Sequence, residues 1–272
     1  MKSDSSAKCW EKIKREQGNI KMNPYIQNLN RIEFLITLAC TGRCKHCSEG
    51  DHSAGGGYID GDAAVQTVYS VCSEFNIESL MTFGGEPLLH LDEVCCIHTA
   101  AEKMNIPKRQ LITNGFFSNS EARIKEAAEK LAQSGVNDIL LSVDAFHQET
   151  IPLKPVKDFA EAVKSTGIPL RAHPAWLVNE ETDNPYNRRT REILKEFQIM
   201  GIKSSDGNDI FPSGNALKYL SDFFDKGKEY VSPYAENPED VHSICISPNG
   251  DVLGGNIYQT DILDIIKNYT PI

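Results

Sequence analysis

The sequence predicts an α/β protein: a partial (β/α)6 TIM barrel followed by a small C-terminal β-hairpin and helix appendage. Two observations permit the barrel. Short apolar runs alternate with amphipathic stretches about every 30 residues, the pattern of repeated strand and helix units around a parallel sheet. Roughly 180 residues hold six such units, whereas eight units closing a full barrel take about 250 residues. A chain of 272 residues with 40% hydrophobic content can bury a core of that size.

In chain order, the predicted strands are Ile32 to Leu38, Leu80 to Phe83, Gln110 to Thr113, Asp138 to Val143, Pro169 to Leu177 and Asp209 to Pro212. Between them Val65, Val68, Cys72 and Phe75 keep helical spacing. So do Ile124, Ala128 and Leu131, then Val156, Phe159 and Val163, and last Ile193, Phe197 and Met200. Gly135, Gly167 and Gly201 follow three of these helices where a left-handed cap belongs. No sequence repeat suggests a solenoid. The division expected is an N-terminal extension at 1–29, the barrel at 30–216 and the appendage at 217–272.

Composition narrows the function classes. No apolar run approaches the ~18 residues needed to cross a bilayer, and the first residues lack the apolar core of a secretory signal, so the expected location is cytoplasmic and off the membrane. Eight cysteines, three of them clustered, fit a reducing compartment rather than a disulfide framework. A net charge of -10 gives no general attraction to phosphate backbones, so bulk nucleic-acid binding is not expected. Arg188, Arg189 and Arg191 at the start of a helix read as a solvated face.

The chemistry concentrates at strand ends. Cys40, Cys44 and Cys47 form a Cys-x3-Cys-x2-Cys group just past the first strand. Three thiolates on one loop can hold three irons of a 4Fe-4S cluster and leave the fourth iron open, whereas closed structural sites take four protein ligands. A zinc knuckle completed by His52 or Cys245 is the competing reading. Gly84-Gly85-Glu86-Pro87 follows the second strand, where two glycines allow close backbone approach to a ligand. Thr113-Asn114-Gly115 ends the third strand. Ser142-Val143-Asp144 ends the fourth, placing polar groups where ribose hydroxyls could partner them.

These segments resemble the radical S-adenosylmethionine (SAM) superfamily, with His46 where that family usually carries an aromatic residue. The resemblance implies one 4Fe-4S cluster on Cys40, Cys44 and Cys47, whose open iron is chelated by SAM. Reductive cleavage of SAM then yields a 5'-deoxyadenosyl radical that abstracts hydrogen from substrate. It also implies that Gly84, Gly85, Glu86 and Pro87 hold the SAM amino group, with Asn114, Ser142 and Asp144 nearby. The arginine that often contacts the SAM carboxylate is missing, leaving His147, Lys154 or Arg171 for that role. Phe211-Pro-Ser-Gly-Asn-Ala216 looks like the family's Pro-x-Gly-Arg-Ala with Asn215 in place of arginine.

The tail from Cys245 to Ile266 resembles the opening of a SPASM or twitch extension, with Pro248-Asn249-Gly250 as its hairpin turn. One local thiolate cannot hold an auxiliary cluster, so none is expected. The tail points to a ribosomally made peptide as substrate, for modification or epimerisation, with a small metabolite as the alternative. Cys245 is a candidate hydrogen donor to a substrate radical, while a small apolar residue filling the hairpin core is the ordinary reading of such a cysteine. A flavodoxin- or ferredoxin-type protein is the expected electron donor. A noncatalytic zinc or iron-sulfur binding module is the alternative from another class.

Overall fold

The structure is a computed structural model that describes residues 23–50, 56–227, 229, 230, 232 and 235–271. Strands and helices alternate: β1 Arg31–Leu35, α1 Gly61–Glu74, β2 Ser79–Phe83, α2 Leu91–Lys103, β3 Lys108–Thr113, α3 Glu121–Gln133 and β4 Asp138–Ser142. Next come α4 Ala145–Gln148, α5 Leu153–Thr166, β5 Leu170–His173, β6 Ala175–Trp176, α6 Pro185–Ile199, β7 Lys203–Ser204 and β8 Asn208–Asp209. The chain closes with α7 Gly214–Tyr219, β9 Ser243–Ile246, β10 Asp251–Val252, β11 Gly255–Asn256 and α8 Ile262–Asn268.

Seven strands form one parallel sheet in the order β7-β5-β4-β3-β2-β1-β9. Strand alternation sends one set of side chains outward under the helices and the other into the lumen. Outward, Ile32, Phe34, Leu80, Leu111, Ile139, Leu141, Ala172, Ile244 and Ile246 are all buried. They form one core with Val68 and Val71 of α1, Ile97 of α2, Ile124 and Leu131 of α3, Phe159 of α5 and Phe197 of α6. The helical spacings read from the sequence are therefore the core faces, and Gly135, Gly167 and Gly201 stand at positive φ. This is an α/β fold with the parallel sheet of a partial TIM barrel. Among the described residues no helix is long and apolar enough to cross a membrane.

Three expectations need correcting. The predicted strand at 169–177 breaks at Pro174, which cannot donate to a ladder, and β6 leaves the main sheet to pair with β8. The sixth barrel strand is accordingly Lys203–Ser204, not Asp209–Pro212. Its two polar residues carry no hydropathy signal, and buried Ile202 anchors the turn before it. The third correction concerns Ser243–Ile246, assigned by sequence to the appendage. It pairs in parallel with β1, Glu33 opposite Cys245, and becomes the seventh strand of the barrel sheet.

Pro248-Asn249-Gly250 does make a turn, closed by Gly250 N donating to Ser247 O at 2.9 Å. A second tight turn at Leu253-Gly254, both at positive φ, closes the two-stranded β10–β11 hairpin. The chain end is clasped by Asn23, whose Nδ2 donates to the carbonyls of Ile266 (2.9 Å) and Tyr269 (2.7 Å) at the end of α8. Removing that donor orphans carbonyls that the helix cannot satisfy itself. Asn23→Ala should therefore lower the unfolding free energy by about 2 kcal/mol, measured by urea denaturation.

Candidate metal and cofactor site

The sheet order sets the C-terminal ends of β1, β2, β3 and β4 side by side, where parallel barrels collect their chemistry. The loop after β1 carries Cys40, Cys44 and Cys47, none of them in a disulfide. Asn215 fastens this loop. Its Nδ2 donates to the carbonyls of Cys44 (3.1 Å) and Gly50 (3.2 Å), and its backbone N donates to Cys47 O at 2.9 Å. Gly214 lies so close that a Cβ there would stand 2.3 Å from Ser48 O. The sequence pattern flagged this segment only as a departure from a family motif; its structural task is to hold the cysteine loop.

The three cysteines suit a cluster. Cys40 Sγ accepts from Gly42 N at 3.3 Å and from Asn114 Nδ2 at 3.6 Å, the kind of N–H to sulfur contact that stabilises thiolates on iron. Burial pushes the Cys40 thiol up to about 11 and raises those of Cys44 and Cys47. The loop thus carries neutral thiols until a cation sits among them. Asn114 also bonds Thr41 Oγ1 at 3.2 Å, so it contacts the cysteine loop directly.

The Gly84–Pro87 segment packs against the same loop. Gly85 N donates to Thr37 O and Glu86 N to Ala39 O, both at 2.8 Å. A Cβ on Gly84 would lie 2.6 Å from Thr37 O. The carbonyls of Gly84 and Gly85 accept no hydrogen bond among the described residues, leaving acceptors suited to an ammonium group.

Glu86 does not face the ligand side. It is fully buried and accepts from Thr113 Oγ1 (2.7 Å), Asn114 N (2.9 Å) and Leu88 N (2.9 Å), a strut between the ends of β2 and β3. Pro87 is likewise buried. The two glycines alone offer backbone at this segment.

Burial raises the Glu86 carboxyl from 4.5 to about 7, against the lowering by its three hydrogen bonds. The fold therefore holds this proton more tightly than the unfolded chain does. The resulting stability is fully present below about pH 4.5 and is lost as pH rises through about 7, a difference of up to about 3 kcal/mol. Urea unfolding of the metal-free protein should show this slope between about pH 5 and about pH 8, and Glu86→Gln should flatten it.

At the end of β4, Ser142 is half-buried beside His173 of β5. Asp144, expected to bind cofactor, is fully buried. Its Oδ1 accepts from Phe146 N and His147 N, capping α4, and its Oδ2 from His147 Nδ1 and Ala175 N, so no oxygen is left for a ribose. His46 lies tilted against Phe146 and edge-on to His147, at 5.0 and 4.8 Å between ring centroids, and its Nδ1 is buried without a partner among the described residues. Burial lowers His46 to about 4, which keeps it neutral.

Lys154 and Arg171, candidates for the role of the missing arginine, each already hold a carboxylate of the protein. Lys154 pairs on the surface with Asp158 at 2.6 Å, and Arg171 pairs with Asp138 at 2.8 Å deeper in the lumen. His52, the other ligand of the zinc-knuckle reading, lies outside the described residues.

The radical SAM superfamily model matches residues 34–184, more than half of the chain. A curated "Probable GTP 3',8-cyclase" from Saccharolobus islandicus (strain L.S.2.15 / Lassen #1) is 28% identical over 195 residues, covering 68% of this chain and 58% of its own length. One from Methanocaldococcus jannaschii is 25% identical over 123 residues, covering 45% of this chain and 39% of its own. The chain thus spans less than two thirds of the curated relatives it matches. Among solved structures, Streptococcus suis SuiB bound to S-adenosylmethionine aligns with a TM-score of 0.58 at 14% identity, covering 90% of this chain and 67% of that one. "Native anSMEcpe with bound AdoMet" aligns at 0.58 and 16%, covering 89% and 81%. These two similarities speak for the fold.

Proposed function

The chain belongs to the radical SAM superfamily, whose enzymes use a 4Fe-4S cluster and S-adenosylmethionine, and we propose that it abstracts hydrogen from a ribosomally synthesised peptide. The observation that carries this is the meeting of three cysteines on one loop with the unsatisfied carbonyls of Gly84 and Gly85. Cys40, Cys44 and Cys47 would hold the cluster, and Gly84 and Gly85 the SAM ammonium. Together, cluster and SAM supply a one-electron cleavage that ends in hydrogen abstraction from an unactivated C–H bond. The chain's own residues shape the rest. Asn114 donates to Cys40, Asn215 fixes the loop, and Ser142 faces the lumen from the end of β4. The outward helices keep water from the core, and the lumen positions the target carbon.

A peptide is favoured over a small metabolite because β7 and β9 stand at opposite edges of the sheet without pairing among the described residues, and an unpaired sheet edge can take an extended chain. SuiB has also been solved bound to the precursor peptide SuiA. The curated relatives cited above carry the name "Probable GTP 3',8-cyclase", so a nucleotide substrate is the reading to test against. Incubating the dithionite-reduced, cluster-loaded protein with SAM, and with peptides encoded beside its gene or with GTP, decides it. Formation of 5'-deoxyadenosine with a mass-shifted peptide supports the proposal. Its absence, or product only from GTP, sinks it. A flavodoxin- or ferredoxin-type donor in a reducing cytoplasm fits such a cluster.

Cys245 is the proposed hydrogen donor to the substrate radical. It is solvent-exposed on β9 beside Glu33, on the lumen side, opposite the buried Ile244 and Ile246. Local desolvation first, then the carboxylates Glu33 and Glu49, push its thiol up to about 12, so it carries its hydrogen at neutral pH. Unchanged product formation in a folded, cluster-bearing Cys245→Ser protein removes the role.

One observation favours a zinc module instead: Cys44, His46 and His147 present ligand atoms within 4.8 Å of one another. Asp144 on His147 Nδ1 would orient its other nitrogen toward a metal. His46→Phe separates the readings, since it should strip zinc from such a site and leave iron on the three cysteines.

A further inference from the structure

The lumen below the SAM site is charged where a closed barrel is filled with branched apolar side chains. Inward positions along the sheet carry Arg31, Lys108, Arg171 and Lys203 and two carboxylates, Glu33 and Asp138, with Arg171 and Lys203 in register beside each other. Four cations against two anions is a local positive surplus in a chain of net charge -10. The carboxylates are already committed. Glu33 accepts from Arg31 Nε at 2.5 Å. Asp138 accepts from Gln110 Nε2 at 2.6 Å and from Arg171 Nη2, which reaches both of its oxygens at 2.8 Å.

Arg171 therefore spends one nitrogen on Asp138, while its Nε and Nη1 have no partner among the described residues. Its side chain is 41% exposed, and Lys203, in register beside it, likewise has no partner among the described residues. A pair open to water contributes little to folding. A pair serving only structure would use the fork edge of the guanidinium on the carboxylate. Here the acid steadies the arginine and leaves other donors turned to the lumen.

We infer that Arg171 and Lys203 form a substrate subsite for one carboxylate, an acidic side chain of the peptide. The inference rests on the radical SAM reading for the position of the reacting carbon near the end of β4. Asp138 lies four residues below Ser142 on that strand, about 13 Å. An extended peptide covers this in about four residues, so the acidic residue stands three or four positions from the modified one. A nucleoside triphosphate fits poorly. Its roughly four negative charges exceed the local surplus, and this level of the barrel faces helix C-termini, whose partial charge is negative, rather than the N-termini that bind phosphate.

The test pans an mRNA-displayed library of random peptides over the cluster-loaded, SAM-bound protein under anaerobic conditions. Wild type should enrich Asp or Glu at one position by about tenfold. The paired variant R171Q/D138N, which removes both members of that pair and leaves Lys108, 3.8 Å from Asp138 and half-exposed, to water, should lose that preference, and K203E should shift it toward Lys or Arg. Iron content and SAM binding are followed in parallel; if wild type fails those, the radical SAM reading is what falls. If SAM binds and wild type shows no acidic preference, or both variants keep it, the subsite is overturned. If GTP displaces the enriched peptides from wild type but not from R171Q/D138N, the ligand is a phosphate and the carboxylate assignment is overturned.

Discussion

Anaerobically reconstituted protein should carry about four irons per chain, and Cys40→Ala, Cys44→Ala or Cys47→Ala should each bring that close to zero. The reason is the absence of a spare thiolate on the cysteine loop among the described residues. Cys72 lies on α1 and Cys95 and Cys96 on α2, half-buried in the helical layer, and Cys245 lies on β9, so none of these thiols shares the cysteine loop. A cluster deprived of one of three thiolates finds no further thiolate on that loop among the described residues, and a neutral imidazole such as His46 or His147 is a poor substitute for a cluster thiolate. Cys72→Ala should keep its iron and serves as the control. Iron and sulfide analysis with visible absorption spectra reads the result. Wild type with about seven irons or more would mean a second cluster and overturn the single-cluster assignment.

The barrel was legible in the sequence wherever hydropathy follows a period. Ile139-Leu140-Leu141 and the Val156, Phe159, Val163 face read directly as strand and helix because the strand is buried on both faces and the helix on one. The pattern failed where pairing alone defines a strand. Lys203–Ser204 is two polar residues held by Arg171 and Ala172, and Ser243–Ile246 is too short to distinguish from a hairpin arm. Both strands carry lumen residues that matter here, Lys203 and Cys245.

The site was legible as a set of segments and less so as roles. The cysteines, Gly84, Gly85, Asn114 and Ser142 do converge at neighbouring strand ends. Motif position could not tell ligand contacts from struts, because the difference lies in which way a side chain turns. Glu86 and Asp144 turn inward, where each binds several protein donors. Asn215 turns toward the cysteine loop, a contact made across 171 residues of sequence that no local pattern encodes.

Gly85→Val should cost the protein both its cluster and its SAM binding. The sequence suggests that glycine is needed here for close approach of a ligand, which predicts loss of SAM affinity alone. The structure locates the constraint elsewhere. A Cβ on Gly85 would stand 2.3 Å from Ala39 O, 2.7 Å from Ala39 C and 2.8 Å from Leu38 O, all backbone atoms that cannot swing aside. Valine must push the segment off the strand that leads into Cys40, breaking the bonds from Gly85 N to Thr37 O and from Glu86 N to Ala39 O. Overpacking of this kind costs about 3 kcal/mol or more, and here it moves the first cluster ligand. Gly57, with nothing within 4 Å of its would-be Cβ, provides the control, and Gly57→Ala should leave iron and SAM binding unchanged. Iron content after reconstitution and equilibrium dialysis of SAM separate the possibilities. A Gly85→Val protein that keeps its irons and loses only SAM would restore the ligand-approach explanation, and one that keeps both would show that Gly85 does not press on Ala39 at all.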